Sequence, residues 1–218
     1  MRVYPVFLIG LAKKRCIVVG GGREGQRKIE GLLECDAAVT LISPEVTGTI
    51  NAWIEERRVT WIARNYIPGD LRDAFLVIAA TDNSQANARI SEEAEAEGAL
   101  INVVDDPTRC SFIVGSVARQ GALTIAISTS GCAPALAVRL RQRMQSEFGP
   151  EYAAFLDLME RVREPLAACY PDFQARRARW YALVDSNILD LLRQGMPDLA
   201  RQRITEIVGE DVLRLTSA

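Results

Sequence analysis

The sequence predicts an α/β fold in which a doubly wound parallel sheet comes first, a β-hairpin with one helix follows, and an all-α domain ends the chain. Two observations predict the first part: short apolar runs alternate with helical segments, and their spacing is that of β–α–β units. A third observation predicts the rest. Two neighbouring apolar runs there precede an almost continuous series of segments with helical periodicity.

Five short strands are predicted in the first part of the chain. The run Phe75–Ala80 is apolar throughout, which is typical of a central parallel strand that is covered on both faces. The predicted strands are Arg15–Val19, Val39–Ile42, Val59–Ile62, Phe75–Ala80 and Leu100–Val104. Between them, helices are predicted over Arg23–Glu34, over Val46–Arg57, and from a cap at Asp82 or Asn83 to Gly98.

The pattern changes near residue 110. Phe112–Ala118 and Ala122–Ser128 are predicted to form a hairpin through a turn at Arg119–Gly121. Further helices are predicted over Ala135–Glu147, Tyr152–Ala168, Phe173–Val184, Ile188–Arg193 and Asp198–Val208. We therefore predict three segments: a first domain at residues 1–111, a middle segment at residues 112–148, and a helical domain at residues 149–218.

The composition narrows the function classes. A net charge of -2 gives no general indication of a nucleic-acid partner or of an anionic membrane surface. The chain has no histidine, which excludes Ser–His and Cys–His catalysis, and its five cysteines form no CxxC pair, so we predict no metal site and no disulfide framework. No apolar stretch reaches the ~18 residues of a membrane span, and the N-terminus lacks the pattern of a signal peptide. We therefore expect a soluble cytoplasmic protein without a membrane or nucleic-acid partner.

A glycine-rich loop joins the first predicted strand to the first predicted helix. In this position the spacing Gly20-x-Gly22-x-x-Gly25 predicts the phosphate loop of a Rossmann-type dinucleotide-binding domain. The first glycine permits the tight turn, the second lets the backbone approach a pyrophosphate, and the third lets the helix pack closely on the strand. The candidate cofactor residues of this loop are Gly20, Gly22, Arg23, Glu24 and Gly25. The alternative is a tight strand–helix turn without a ligand.

The second predicted strand lacks the acidic residue that usually ends it in NAD-binding domains. Ser43, Pro44 and Glu45 occupy this place, and the side chain of Ser43 or Glu45 is a candidate partner for the adenosine ribose. Arg23 lies close enough in sequence to leave NADP as an alternative. We favour NAD as the cofactor because no basic residue follows the strand.

Small polar residues follow the fourth and fifth predicted strands, at the edge of the sheet where ligands bind in open α/β folds. We expect two pairs of residues to lie beside the nicotinamide. They are Thr81 and Asp82 from the loop after the fourth strand, and Asn102 and Val104 from the end of the fifth strand.

Asp105 is the candidate catalytic residue, because a carboxylate at this place can take a proton while the cofactor takes a hydride. A neighbouring Asp106 would raise the pKa of one of the two carboxyls if both point inward. The alternative is that the two aspartates shape an Asx turn before Pro107.

The segment Ser128–Pro134 combines hydroxyl groups and a glycine immediately before a predicted helix, which is typical of an anion site at a helix N-terminus. Four arginines and no acidic residue lie between Ser116 and Ser146, which favours a ligand with several carboxylates. The candidate substrate residues are Ser128, Thr129, Ser130, Gly131 and Arg139. The alternative is a helix N-cap followed by a solvated helix face.

Taken together, these motifs resemble the siroheme synthase family, most closely over residues 3–165. The resemblance rests on Pro5–Leu8, Gly20–Lys28, Ala79–Asn83, Asn102–Pro107, Ser111–Ile113 and Ser128–Pro134. It implies NAD-dependent oxidation of precorrin-2 to sirohydrochlorin, and in bifunctional members the insertion of ferrous iron, as substrate, to give siroheme. The methyltransferase module that is fused to some members is absent from this sequence.

The resemblance also implies roles for single residues. The family's catalytic aspartate falls on Asp105, and a serine of its Ser-Ser-Gly-Gly loop falls on Thr129, where an anion contact is retained but a regulatory phosphorylation is not expected. The third loop glycine of the family is often alanine, whereas Gly25 restores the full fingerprint. The edge strands of the predicted hairpin are implied to pair across a two-fold axis in a homodimer. Two alternatives remain: a dehydrogenase without chelatase activity, and a non-catalytic NAD-sensing regulatory module.

Overall fold

A computed structural model describes residues 2–216 of the chain. The chain folds into two compact units, of which the first comprises residues 4–114 and the second begins at Gly115 and includes Arg2 and Val3. The first boundary that we predicted from the sequence, at residue 111, lies three residues before this division.

The first unit is built on a five-stranded parallel sheet with the strand order β3-β2-β1-β4-β5. Its strands are β1 (Arg15–Val19), β2 (Ala38–Ile42), β3 (Val59–Ile62), β4 (Leu76–Ala79) and β5 (Leu100–Val103). The strand order changes direction between β1 and β4, so the loops that follow these two strands diverge and leave a crevice at the carboxyl edge. The predicted doubly wound sheet is therefore confirmed.

Three helices and a long loop cover the two faces of this sheet. They are α1 (Arg23–Leu33), α2 (Gly48–Glu55) and α3 (Ser84–Ala96). Alternate residues of β1 point to opposite faces: Val18 packs in the cluster that contains Ile29 of α1, whereas Ile17 packs in the cluster that contains Ile90 of α3. Residues 63–75 cross to the second face without a helix and bury Leu71 there.

The second unit contains the hairpin and the C-terminal helices. Strands β6 (Ser116–Gln120) and β7 (Leu123–Ile127) are antiparallel, and the turn between them is Gly121–Ala122. The predicted turn at Arg119–Gly121 was wrong. Gly121 has φ +55°, as the first position of a tight two-residue hairpin turn needs, so Arg119 and Gln120 continue the strand.

The all-α region is confirmed. Its helices are α4 (Pro134–Glu147), α5 (Pro150–Cys169), α6 (Phe173–Val184), α7 (Ile188–Arg193), α8 (Pro197–Val208) and α9 (Glu210–Thr216). The side chains of Leu166, Leu183 and Ile188 are fully buried in the core of this unit. The sequence did not predict α9 or the single 3₁₀ turns at Leu11–Lys13 and Pro107–Arg109.

An ion pair with a buried carboxylate joins two of these helices. Glu151 at the start of α5 is buried, and its Oε1 accepts hydrogen bonds from Nε and Nη2 of Arg193 at 3.1 and 2.9 Å. Burial opposes ionisation of Glu151, but the backbone N–H and Arg193 donors outweigh it and hold the pKa of this carboxyl below its ordinary value.

In residues 2–216, no helix has the length and apolar character needed to cross a bilayer.

Candidate cofactor and catalytic site

Three glycines of the loop between β1 and α1 are required by the fold itself. A Cβ at Gly20 would overlap the carbonyl oxygen of Ala80, and Gly20 also has φ +108°. A Cβ at Gly25 would overlap the carbonyl oxygen of Gly20, and one at Gly21 would overlap that of Glu45. The loop is therefore wedged between the ends of β2 and β4, and α1 begins directly behind it.

Gly22 is different from these three glycines. Its φ of -75° is open to any residue, and a Cβ there would have no atom within 4 Å. Glycine caps a helix better than alanine does, which is one reason for Gly22, and the open space there also lets a ligand approach the backbone closely. Gly22 precedes α1, whose first turn has no side-chain cap, so free N–H groups face the same space.

Gly22 opens onto a cleft of about 910 Å³ at the carboxyl edge of the sheet. The cleft brings together most of the predicted cofactor residues from three loops: Gly20, Gly22, Arg23, Glu24, Ser43, Pro44, Glu45, Thr81 and Asp82. Gly25 lies beneath the loop rather than in the wall, and Asn102, Val104 and Asp105 are not among the residues that line the cleft. Its volume and its position are those of a cofactor site in an open α/β sheet.

Ser43 holds the glycine loop in place. Its hydroxyl is buried, accepts a hydrogen bond from the N–H of Gly21 at 2.9 Å and donates one to the carbonyl of Glu45 at 2.7 Å. These internal bonds use the only hydroxyl proton of Ser43, so the expected donation to a ribose is not available from it. The exposed Glu45 is the carboxylate that the end of β2 offers to the cleft.

One wall of the cleft was not predicted from the sequence. Asn65, Tyr66 and Pro68 line it from the loop after β3, and Arg89 lines it from α3. Two networks hold this loop. Glu93 of α3 accepts hydrogen bonds from the hydroxyl of Tyr66 and from the N–H groups of Gly69 and Leu71, and Arg64 makes two bonds of 2.7 Å to Asp70.

Burial, followed by the hydrogen bond to Glu93, raises the pKa of Tyr66 well above its ordinary value, so this hydroxyl stays a donor. No pattern in the sequence marks this wall, because its members come from a loop without periodicity and from one exposed helix position.

The loop after β4 is fixed by its own side chains. The Thr81 hydroxyl donates to Oδ1 of Asn87 at 2.7 Å, and Nδ2 of Asn87 donates to the Thr81 carbonyl at 2.9 Å. Asn83 caps α3 by accepting from the N–H groups of Gln85 and Ala86, so of the two predicted caps Asn83 is the one the structure uses. Asp82 is left exposed at the cleft.

The two aspartates after β5 have different surroundings. Asp106 accepts hydrogen bonds from the N–H and hydroxyl of Thr108 at 3.2 and 2.5 Å, and it forms an ion pair with Arg109 at 3.2 Å. The Thr108 hydroxyl first, and then its N–H and Arg109, hold the pKa of Asp106 below its ordinary value. Asp105 is exposed and has φ +60°, in the left-handed region that aspartate tolerates. The two carboxyls therefore do not form the like-charged inward pair considered above; only Asp106 makes the Asx turn.

A thiol lies at the centre of the same loop. Sγ of Cys110 accepts from the N–H of Val103 at 3.2 Å and lies 3.2 Å from the carbonyl oxygen of Asp106. Asn102 is buried and its Nδ2 donates to the carbonyl of Phe112 at 3.1 Å, while its Oδ1 has no partner among the described residues. The role of Cys110 was not predicted, since an isolated cysteine carries no spacing signal.

The candidate substrate residues belong to the second unit. Ser128 and Thr129 accept hydrogen bonds from the N–H groups of Ser130 and Ala133 at 3.0 and 3.2 Å, which shapes the loop before α4. Ser130 and Gly131 have φ values of +54° and +82°. Arg139 is exposed on α4 and donates to Gln142 at 3.3 Å. The assignment of these residues to a substrate stays a prediction.

Three models of known protein families match successive parts of this chain. Residues 7–116 match a family model described as putative NAD(P)-binding, residues 120–147 match one described as sirohaem biosynthesis protein central, and residues 151–207 match one described as sirohaem synthase dimerisation region. The chain belongs to the siroheme synthase family. The model that names dimerisation matches the C-terminal helices, whereas the sequence led us to expect pairing through the hairpin, so the segment that pairs two copies stays a prediction.

Relatives in this family are proteins named siroheme synthase. The one from Methylobacillus flagellatus is 34% identical over 209 residues, which is 96% of this chain and 44% of the relative. The one from Actinobacillus pleuropneumoniae serotype 3 is 34% identical over 183 residues, which is 84% of this chain and 37% of the relative. The chain thus spans less than half the length of these curated relatives. A solved structure titled SirC, precorrin-2 dehydrogenase has the same fold, with a TM-score of 0.77 and 22% identity over 94% of this chain and 100% of that one.

Proposed function

We propose that this protein is an NAD-dependent dehydrogenase that oxidises precorrin-2 to sirohydrochlorin in siroheme biosynthesis. The observation that carries the proposal is the match of the NAD(P)-binding, central and dimerisation models, in chain order, to a protein whose glycine loop leaves an open backbone position at Gly22. The names of the relatives and of the similar structure support the same reaction.

The cofactor half of the site is formed by the first unit. The glycine loop and the N–H groups at the start of α1 bind the pyrophosphate, and Gly22 gives it room. Glu45 accepts hydrogen bonds from the adenosine ribose and repels a 2′-phosphate, which favours NAD over NADP. A calorimetric titration with both cofactors tests this preference. Tighter binding of NADP would instead indicate that Arg23, which also lines the cleft, binds the 2′-phosphate.

The oxidation removes one hydride and one proton from precorrin-2. NAD⁺ supplies the hydride acceptor when bound, so the protein must supply the base. Asp105 is our candidate because it is exposed and follows β5, which lies next to β4 and one strand from β1. The carboxyl ends of these parallel strands share one edge, so Asp105 and the glycine loop lie at the same edge of the sheet.

Two adjacent variants test the base. Asp105→Asn removes the carboxylate, and we expect turnover to fall by about 10²–10⁴-fold while NAD binding is retained. Asp106→Asn makes the same charge change one residue further on, but an asparagine still accepts the bond from the Thr108 N–H, so turnover should stay close to that of the wild type. Near wild-type turnover in Asp105→Asn would remove the assignment.

The substrate half is proposed from the chemistry of precorrin-2, which carries eight carboxylates. The Ser128–Gly131 loop and Arg139 are suited to bind such groups, because guanidinium and free N–H groups bind carboxylates well. Arg139→Gln should raise the KM for precorrin-2 with little change in kcat. Tight NAD binding without any tetrapyrrole binding would instead favour the NAD-sensing module.

Insertion of ferrous iron is a second step that the name of the relatives favours, since siroheme contains the metal. The iron enters as substrate and the macrocycle supplies four nitrogens. The base that removes the pyrrole protons would again be Asp105, because the chain has no histidine. An anaerobic assay with sirohydrochlorin and ferrous iron, without NAD, tests this step, and the absence of a siroheme spectrum would leave the dehydrogenase alone.

A homodimer and a cytoplasmic location complete the proposal. The dimerisation model over residues 151–207 supports the first. The five cysteines are odd in number and form no CxxC pair, which suits reduced thiols in a cytosolic protein and supports the second. Light scattering of the purified protein and fractionation of cells test the two points separately.

A further inference from the structure

Arg89 is a cation of the cleft that no side chain neutralises in the part of the chain that the structure describes. It is exposed and lines the cleft from α3, and within residues 2–216 it forms no ion pair and no side-chain hydrogen bond. Glu92, three positions further along the helix, does not pair with it. Arg27 and Arg201, by contrast, each form an ion pair with an acidic residue three positions away on their own helices. The guanidinium of Arg89 is therefore available to a ligand in the cleft.

The acidic residue best placed to pair with Arg89 is engaged elsewhere. Glu93 lies one turn further along α3 and on the same face, at the spacing typical of ion pairs within a helix. It instead accepts hydrogen bonds from the hydroxyl of Tyr66 and from the N–H groups of Gly69 and Leu71, at 3.1 and 2.8 Å for the latter two. These donors all belong to the loop after β3. Glu93 thus holds this loop against α3, and Arg89 faces the cleft one turn nearer the start of the helix.

The wall that contains Arg89 lies at the adenosine end of the proposed cofactor site. β2 stands between β1 and β3 in the sheet, so the loop after β3 lies beyond the end of β2 on the side away from β4. In the proposed site the pyrophosphate lies on the loop after β1 and the ribose lies near Glu45, after β2. The base comes next in the same direction. It is there that Asn65, Tyr66 and Pro68 line the cleft together with Arg89.

The groups of this wall suit a flat aromatic base better than a second anion. Tyr66 and Pro68 offer ring surfaces, and the Tyr66 hydroxyl is already bonded to Glu93. A guanidinium is planar and stacks on aromatic faces, besides binding anions. The exposed carboxylates of Glu45 and Asp82 line the same cleft, and their charge opposes a further phosphate or carboxylate there.

We propose that Arg89 binds the adenine base of the cofactor by stacking its guanidinium on the base, and that Glu93 leaves Arg89 free for this contact by holding the loop after β3. The inference rests on the proposed function, in which the cleft binds NAD. Because the adenine base takes no part in hydride transfer, Arg89 acts on cofactor affinity and not on the chemical step.

The test compares AMP with nicotinamide mononucleotide. Each carries one ribose and one phosphate, so the two ligands differ in the base. Arg89→Met should lower the affinities for NAD and for AMP by the same factor, about three- to tenfold, and should leave the affinity for nicotinamide mononucleotide unchanged. Arg89→Lys keeps the charge but loses the planar group, so it should recover only a small part of the affinity. Displacement of NADH, followed by its fluorescence, measures all of these affinities.

Arg58→Met is the matched control. Arg58 precedes β3 at the amino edge of the sheet, opposite the cleft, and its ion pair with Glu56 is exposed, so this variant should keep all the affinities. Thermal unfolding without ligand shows whether each variant is folded, and Arg89→Gln replaces the methionine variant if that variant does not fold.

Loss of affinity for NAD and AMP alone supports the proposal. Full recovery in Arg89→Lys overturns it, because Arg89 then contacts a phosphate as a charge. A rise in the KM for precorrin-2 with unchanged NAD affinity also overturns it, because Arg89 then binds a substrate carboxylate. If the wild type does not bind NAD, the proposed function fails as well; if it binds NAD and Arg89→Met keeps its affinity for AMP, only this inference fails.

Discussion

The glycine loop allows stability and cofactor affinity to be separated by two single substitutions. Gly22→Ala places a methyl group where no protein atom lies within 4 Å, on a backbone with φ -75° that alanine adopts freely. Gly22 is also the residue before α1, where alanine is a poorer cap than glycine, so the free energy of unfolding should fall by no more than about 1 kcal/mol. The methyl group faces the cleft, and we expect NAD affinity to fall at least about tenfold, or about 1.4 kcal/mol.

Gly25→Ala should act mainly on the stability of the protein without cofactor. Its methyl group would overlap the carbonyl oxygen of Gly20, and both atoms belong to backbone that is fixed by neighbouring elements. The helix must shift, and we expect the free energy of unfolding to fall by about 1–3 kcal/mol. Urea unfolding followed by the fluorescence of Trp53 and Trp61, both in this unit, gives the stability, and calorimetry gives the NAD affinity. Wild-type NAD affinity in Gly22→Ala would refute the reasoning, because no ligand would then explain that glycine.

Three other substitutions probe single contacts. Tyr66→Phe removes the donor to Glu93 and should weaken NAD binding several-fold with kcat unchanged at saturating NAD, because the cleft wall loosens; unchanged affinity would show that this wall does not contact the cofactor. Arg193→Met leaves the buried Glu151 unpaired and should lower the thermal midpoint at neutral pH. The pKa of Glu151 is held below its ordinary value of 4.5 in the folded state, so this stabilisation is present at pH values above 4.5 and is lost as the pH falls through the folded-state pKa. The wild type and Arg193→Met should therefore converge in stability at low pH. Asp106→Ala should free the loop before Pro107 and increase backbone amide exchange at Thr108.

The parts of the fold that the sequence predicted are those with strong periodicity. Buried parallel strands such as Leu76–Ala79 are uniformly apolar, and a cap such as Asn83 has a local mechanism, so both can be located from neighbouring residues alone. The hairpin turn was misplaced because Gly121 is compatible with either end of a short turn, and the choice depends on the pairing of Gln120 with Leu123.

The cleft wall could not be predicted from the sequence for a different reason. Its position depends on hydrogen bonds that Glu93 accepts from residues more than twenty positions earlier in the chain, and no local rule links them.

Asp105 and Asp106 show most directly what local sequence leaves open. Both are aspartates in one short loop before a proline, and both readings of the pair, base and Asx turn, are chemically sound. The structure divides the roles because successive side chains in a tight turn point in different directions. Asp105 has a left-handed backbone and an exposed side chain, whereas Asp106 accepts the hydrogen bond of the Thr108 N–H. Asp106 is thereby committed to Thr108 and Arg109, and the exposed Asp105 stays our proposed base. The same strained backbone that releases Asp105 also requires a residue tolerant of positive φ, which makes Asp105→Asn, rather than Asp105→Ala, the informative replacement.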